Sequence, residues 1–528
     1  MATERFGDPV LTPPELAPRA IGAKPLKKSH IKWLWGIIGC TPVLLASMAT
    51  NLNPIGTLIA TFMGLIGALI LALLLSRSAF FLGIGSIPQT RAAFGTRGAA
   101  LALWLRIVIT IAFFSVWFAT IASWVERLIN ALKFVLPSFI TKIHFDIAVL
   151  AGVFCYIFII IFSSYIVACR NTQQLAKIVR VLIPMGLTLA VLLAVYAIYV
   201  VGIKIVTTLS CTFPSTSELA DASAGIIALA LPGILIVNDW LRFQRGASVR
   251  QEVRRGIFNF FFMAFLLLLT RLIWAQASIQ IRGYASGHPI PDIGAFGGII
   301  AASAALLLIA LFSIGFISLI GLQGTAFALL GIWPYPRRMR FLISSIAVVM
   351  LTLAVLDWHL LPVDLLKPSL LGSLLAGLVG ILLADELLRR GRTNTEELFL
   401  FKSTYWPFAS IAIAAVTALI AATLSHPLIL GYLHWFSIAQ IINRFGGNNN
   451  AGVMLRGLTI GALSYLVLLP LEHGAYRFIV LLKQIRRGLK NRRIAKANQF
   501  EFSASNDRTN PHFIYKPQAT VDKDKQSQ

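Results

Sequence analysis

Residues 55–76, IGTLIATFMGLIGALILALLLS, run without a charge and stop at Arg77. A hydrocarbon core of about 30 Å takes roughly 20 apolar residues wound as a helix. Lipid offers the backbone no hydrogen-bond partner, so a spanning segment closes its own hydrogen bonds as a helix or within a closed barrel. Barrel strands alternate apolar and polar residues over about ten positions. This run is continuous, which makes it a helix. The same pattern extends to both sides, with apolar stretches near 33–52, 98–124, 146–169, 178–203, 223–241, 256–279, 295–325, 340–357, 369–388, 406–425 and 453–480. The expectation is an all-α polytopic membrane protein of about twelve transmembrane helices.

Charge between the stretches tests that count. Lys24, Lys27, Lys28 and Lys32 precede the first span, and Arg77, Arg91 and Arg97 follow the second. Arg170, Lys177 and Arg180 follow the fourth, and Arg242, Arg245, Arg250, Arg254 and Arg255 the sixth. Arg337, Arg338 and Arg340 follow the eighth, and Arg389, Arg390, Arg392 and Lys402 the tenth. The twelfth runs into Lys483, Arg486, Arg487, Lys490, Arg492 and Arg493. The alternate connectors carry Glu218 and Asp221, Asp292, Asp357 and Asp364, or the mixed set Glu126, Arg127, Lys133 and Lys142. By the positive-inside rule both termini are cytoplasmic, in a multi-pass plasma (bacterial inner) membrane. An error of one span would break the alternation downstream.

Composition excludes other classes. A chain that is 57% hydrophobic and 13% charged is no soluble domain. The net charge of +25 is carried by loops and tails on one side, where it meets anionic lipid, so no nucleic-acid partner is expected. Cys40, Cys155 and Cys169 lie in or beside spans and Cys211 in an outside loop, without a CxxC or a His/Cys cluster. His144, His288, His359 and His426 fall in loops without metal spacing. Gly83-Ile84-Gly85-Ser86 lacks the Gly-Lys-Ser/Thr ending of a phosphate loop, and no nucleophile–base motif stands out, so neither an ATP-driven pump nor an enzyme is expected. No resident cofactor is expected. Residues 1–32 lack a cleavable apolar core and 500–528 read as a disordered tail, while 426–450 read as a short re-entrant or surface helix.

Two spans carry interruptions. Gly39-Cys40-Thr41-Pro42 lies in span 1 and Leu231-Pro232-Gly233 in span 6. Proline removes a backbone donor and crowds the preceding turn, so a helix kinks or unwinds there. Breaks at matching positions of two repeats point to a transporter's binding site, where freed carbonyls take a cation and freed amides face a polar substrate. Gly64 and Gly67 in span 2, and Gly372, Ala376 and Gly380 in span 10, read as small faces for close helix packing. Arg271 in the middle of span 7 has two readings: a buried charge with a functional partner, or a snorkel to the surface beside Gln276 and Arg282. Asp239, with Asn238, reads as a structural partner of basic loop residues or as a proton site. Glu472-His473 reads as interfacial.

The stretch Gly83-Ile84-Gly85-Ser86-Ile87-Pro88-Gln89-Thr90-Arg91-Ala92-Ala93-Phe94-Gly95-Thr96-Arg97-Gly98-Ala99 is similar to the connector after span 2 in the nucleobase:cation symporter-1 family. Those are permeases for cytosine, purines, uracil, thiamine, allantoin and hydantoins. Leu105-Arg106, Asp239-Trp240-Leu241-Arg242-Phe243 and Ala384-Asp385-Glu386-Leu387-Leu388-Arg389-Arg390-Gly391-Arg392 resemble the family in the same order. The resemblance implies a leucine-transporter-like five-plus-five inverted repeat plus two C-terminal helices. On that frame residues 1–32 are the cytoplasmic N-terminal tail and 33–480 the transporter domain. Repeat one covers about 33–203, repeat two about 223–388 and the extra helices about 406–480, with a basic tail at 481–528.

The resemblance also implies a site, and this chain departs from the family there. The span 3 Gly-Trp-Phe-Gly-x-Gln pattern matches Ala112-Phe113-Phe114-Ser115-Val116-Trp117, so Phe113 keeps an aromatic face and Trp117 replaces an amide. The stacking Trp of span 6 matches Ala230, beside Gly233. In span 8, Ser313-Ile314-Gly315-Phe316-Ile317-Ser318-Leu319 keeps one hydroxyl, Ser313, at a sodium-ligand position and puts Leu319 at a substrate amide, with Ser318 the candidate if the alignment slips. Cation ligands would be Ser313 and the backbone at Cys40 and Thr41. A hard cation needs oxygen ligands that Ile and Leu side chains lack. The expected function is a secondary transporter that imports a small heterocycle, driven by sodium or protons. The alternatives are a transporter on the same fold for amino acids, amines or vitamins, and a non-transporting receptor or scaffold.

Overall fold

A computed structural model describes residues 28–45, 54–77, 79, 84–95, 97–133, 145–170, 172–202, 214–241, 249–285, 288–333, 337–358, 367–389, 411–430 and 449–506. Outside them lie most of the N-terminal tail, Lys142, His144, Cys211, Arg242, Arg245, Asp364, His359, Arg390, Arg392 and Lys402, residues 431–448 of the expected re-entrant helix, and the tail from 507.

Every described element is helical. In chain order they are α1 Lys28–Leu45, α2 Pro54–Leu75, α3 Ser86–Phe94, α4 Ala99–Lys133, α5 Phe145–Ala168, α6 Thr172–Val201, α7 Thr216–Ile234 and α8 Val237–Leu241. There follow α9 Val249–Arg282, α10 Pro289–Phe316, a π-helix Ile317–Gln323, α11 Gly324–Ile332, α12 Arg337–Trp358, α13 Pro368–Ser373, α14 Ala376–Arg389, α15 Ile413–Leu424, α16 Pro427–Leu430 and α17 Asn450–Asn506. Each of the expected apolar stretches overlaps described helix. Among the described residues nine helices are long and apolar enough to cross a membrane, and Trp33–Leu45 and Ile413–Leu424 are apolar but shorter. Large apolar side chains such as Phe158, Phe258, Ile300 and Leu455 face outward, as lipid-facing positions should.

The chain divides into two units, Met1–Leu469 and Pro470–Gln528. The second, where described, is the continuing helix of α17 to Asn506. Within the first, α1 packs along α9 and α2 along α7. A two-fold axis relating spans 1–5 to spans 6–10 would exchange these two pairs, because span 1 maps to span 6 and span 2 to span 7. The small faces make the packing tight. A Cβ at Gly64 would lie 2.7 Å from the Ser223 carbonyl, and one at Gly372 or Gly380 would overlap the carbonyl of Ala228 or Leu458. Close approach of this kind replaces the hydrophobic drive that lipid removes.

Local sequence sets the breaks. α7 begins on a capping box, with the Ser215 hydroxyl accepting from the Glu218 amide at 3.3 Å and the Ser215 amide donating to the Glu218 carboxylate at 3.0 Å. It ends at Ile234, two residues past Pro232, and a turn at Leu235-Ile236 leads into the short α8. The expected break in span 6 is therefore present. In span 1 the described residues stay helical through Pro42 to Leu45, and residues 46–53 lie outside them. Span 8 changes to π geometry over seven residues, and span 10 is interrupted between α13 and α14.

Candidate functional site

The middles of α1 and α4, the C-terminal end of α7 and the π-helix meet. Glycine allows it: a Cβ at Gly233 would stand 3.3 Å from Ile320 and 3.4 Å from Ile38, and one at Gly321 would stand 3.2 Å from Phe114. Phe113 packs edge-on against Phe114 with centroids 5.3 Å apart. Phe113, Trp117, Ala230 and Leu319 are all buried. The Trp117 indole N–H donates to the Ser313 hydroxyl at 3.4 Å, so a proposed substrate residue and a proposed cation ligand are brought together. The centre is otherwise apolar, filled by Ile38, Phe114 and Ile320.

The backbone expected to hold a cation is engaged. In a continuous α-helix the carbonyls of Cys40 and Thr41 accept from residues four places on. The Thr41 hydroxyl donates to the Ile37 carbonyl at 2.8 Å. Pro42 leaves the Ile38 carbonyl without its intrahelical donor. Ser318 ties the π-helix to α5, donating to the carbonyls of Ser164, at 3.1 Å, and Ile314.

Gln323, the last residue of the π-helix, was not singled out by the sequence. It is fully buried, and neither its Nε2 nor its Oε1 has a hydrogen-bond partner among the described residues. It follows Leu319 by four positions, which places both on one helix face. A π turn inserts one extra residue and loosens the backbone ladder, an arrangement often found at functional sites. The signal in the sequence is a lone carboxamide in the apolar run LIGLQGTAFALLGI, 319–332.

Arg271 does not snorkel. It is buried, and its Nη1 donates to the carbonyls of Val43 and of Leu44, the latter at 3.2 Å, at the C-terminal end of α1. A cation there satisfies terminal carbonyls and complements the helix dipole. The Asp292 carboxylate attracts it electrostatically.

Asp239 pairs with Arg106 and Ser86; the loop arginines Arg242 and Arg245 lie outside the described residues. Its carboxylate accepts from the Ser86 amide at 2.7 Å and the Ser86 hydroxyl at 2.6 Å, and stands 4.0 Å from Arg106 Nη2. Arg106 Nη1 donates to the Ser86 hydroxyl at 3.0 Å. A carboxylate is thus supplied across the fold to the first turn of α3, whose own N-cap, Gly85, has no side chain to give. Beside it, the Gln89 and Asn238 amides both donate to the Leu75 carbonyl at the end of α2, at 2.9 and 3.0 Å, and Gln89 also reaches Glu386 at 3.5 Å. The Tyr465 hydroxyl donates to Asp385 at 2.7 Å. All four stretches that carry the family resemblance converge here, at one end of the bundle.

His426 lies in the bend between α15 and α16, as expected, and is buried. The Leu428 amide donates to its Nδ1 at 3.3 Å, so the proton sits on Nε2, which faces Ser373 at 2.8 Å and the Leu370 carbonyl at 3.0 Å. Burial pushes its pKa from 6.5 down to about 4. Glu472 and His473 lie on the partly exposed length of α17 beyond Pro470.

Fold and site together define an integral, multi-pass α-helical membrane protein built on the leucine-transporter-like architecture. The solved structures that share this fold include Mhp1, a nucleobase-cation-symport-1 family transporter in a closed conformation with bromovinylhydantoin bound. It matches with a TM-score of 0.60 and 15% identity, over 85% of this chain and 93% of that one. Mhp1 in its inward-facing conformation matches with a TM-score of 0.56 and 15% identity, over 84% and 91%. A Na+-coupled sialic acid symporter covers 89% of this chain and 95% of its own at 15% identity, with a TM-score of 0.49. No protein-family model matches the chain. No curated protein matches it either.

Proposed function

We propose that this protein is a secondary active transporter in the plasma membrane, with both termini in the cytoplasm, importing a small heterocyclic metabolite by alternating access. One observation carries the reading: the break at Leu235-Ile236 and the π-helix Ile317–Gln323 lie on the two facing spans that meet at Gly233 and Ile320. Interrupted helices facing one another at the middle of a bundle let backbone and side chains meet a solute without exposing polar groups to lipid. The shared fold with Mhp1 and the four converging stretches support the same reading. Phe113 and Trp117 supply aromatic faces, Gly233 and Ala230 leave room, and Leu319 lines the wall.

The centre favours a less polar substrate than a nucleobase with every edge hydrogen-bonded, since Ile38, Phe114, Ile320 and Leu319 offer no polar partner. It also favours proton coupling or none over sodium: Ser313 is met by Trp117, and the Cys40 and Thr41 carbonyls are engaged within α1. The test is uptake into proteoliposomes of labelled nucleobases, hydantoins, allantoin and vitamins under a sodium gradient, a proton gradient and neither. Uptake of a heterocycle that sodium does not accelerate is expected. Uptake confined to amino acids or amines, or no uptake, would refute the reading.

A further inference from the structure

We infer that Gln323 is the specificity-determining residue of the proposed transport site, and that it reads a cis-amide edge: one N–H beside one C=O, as in a lactam or cyclic ureide. The inference rests on the transporter reading and deepens it.

The argument starts from an unbalanced group. A buried carboxamide offers two donors and an acceptor, and each polar group buried without a partner costs about 1–3 kcal/mol. Gln323 leaves both ends of its amide unmet, although it is completely buried. Its surroundings tie it to the centre of the bundle. Leu319 shares its helix face one turn back, Ile320 meets Gly233, and Gly321 lies against Phe114. On the other side, a Cβ at Gly324 would stand 3.3 Å from Ile236, in the break of span 6, and 3.7 Å from Arg106 Nη2. Along the chain, Gln323 thus lies between Gly321, which faces Phe114 of α4, and Gly324, which faces Ile236 in the turn where α7 stops. The apolar walls give a ligand area but no orientation, and Gln323 is the carboxamide in the π-helix that they enclose.

A primary carboxamide presents Oε1 and an Nε2–H in one plane. Its complement is a group that presents N–H and C=O in one plane on one side, which is the edge of a cis-amide. Two parallel hydrogen bonds then satisfy both orphaned atoms at once. Methylating the ligand nitrogen removes the donor and leaves Oε1 unmet. A site built to hydrogen-bond a group rejects the analogue that lacks it far more strongly than an apolar pocket rejects an added methyl.

The test compares wild type with Gln323→Met and Gln323→Leu in proteoliposomes. Uracil and hydantoin are each run against their 1,3-dimethyl forms, and the melting temperature of each empty protein is measured. Wild type is expected to favour the parent compounds, and the apolar variants to lose about tenfold or more of that preference. The empty variants are expected to melt no lower than wild type, because they lose an unpaired amide rather than a bond. An unchanged preference in a folded variant overturns the inference and leaves the transporter reading standing. So does a lowered melting temperature of the empty protein, or failure of both variants to fold, since an amide that meets only a ligand is not needed for folding. Absence of uptake of either parent compound by folded wild type overturns the heterocycle reading and this inference with it.

Discussion

At the scale of single residues, the Asp239 carboxylate is well answered, whereas both ends of the Gln323 amide lack a hydrogen-bond partner among the described residues. Asp239 is answered several times over, by the Ser86 amide and hydroxyl and by Arg106. Removing one member of a buried pair strands the other in a low dielectric, at about 3–5 kcal/mol, whereas replacing both with apolar groups is often nearly neutral. Asp239→Ala should therefore lower the unfolding free energy of detergent-purified protein by about 3–5 kcal/mol. The double change Arg106→Met with Asp239→Leu should cost less than Asp239→Ala alone. A double variant that melts below the single would contradict the pairing. Asp239 was legible in the sequence as a structural residue, but its partner was not. Arg106 lies far away along the chain, and only the folded bundle brings it to Asp239. Gln323 was not legible because pattern reading registers a lone Gln in an apolar run as noise, and its meaning comes from the missing partners.

At the scale of elements, the glycine faces decide how closely helices pair. Gly372 lets α13 lie on the Ala228 carbonyl of α7, so Gly372→Ala forces the two apart. Gly474, in α17, has nothing near the place its Cβ would occupy. Gly474→Ala should stabilise its helix by roughly 0.5–1 kcal/mol, because glycine loses more backbone entropy than alanine on helix formation. Gly372→Ala should instead destabilise, by the 1–3 kcal/mol typical of overpacking. Thermal unfolding of the two variants separates these signs, and equal effects would sink the close-packing account. These faces were visible in advance, as was the break in span 6, because glycine and proline act locally. Pro42 shows the limit of that logic. The same residue type in α1 is accommodated without ending the helix, and Arg271 holds the carbonyls at its end. The π-helix was not foreseen, since no residue in Ile317–Gln323 forces it.

Over the whole molecule, hydropathy made the helical, multi-pass architecture legible, because the bilayer imposes length on any chain that crosses it. Pairing of α1 with α9 and α2 with α7 is what two inverted repeats produce, and the fold shared with Mhp1 agrees. In the proposed transporter, substrate and coupling ion would be set by a few side chains at the centre, where this chain departs from the family it resembles. The central claim is that this centre opens to each side of the membrane in turn. It is tested by Ile320→Cys in a background with Cys40, Cys155, Cys169 and Cys211 replaced, labelled with a membrane-impermeant thiol reagent in right-side-out and inside-out vesicles. Alternating access predicts labelling from both sides, at rates that shift in opposite directions when a transported compound is added. Labelling from one side only, or from neither, in folded protein would contradict it and leave a receptor or scaffold as the better description.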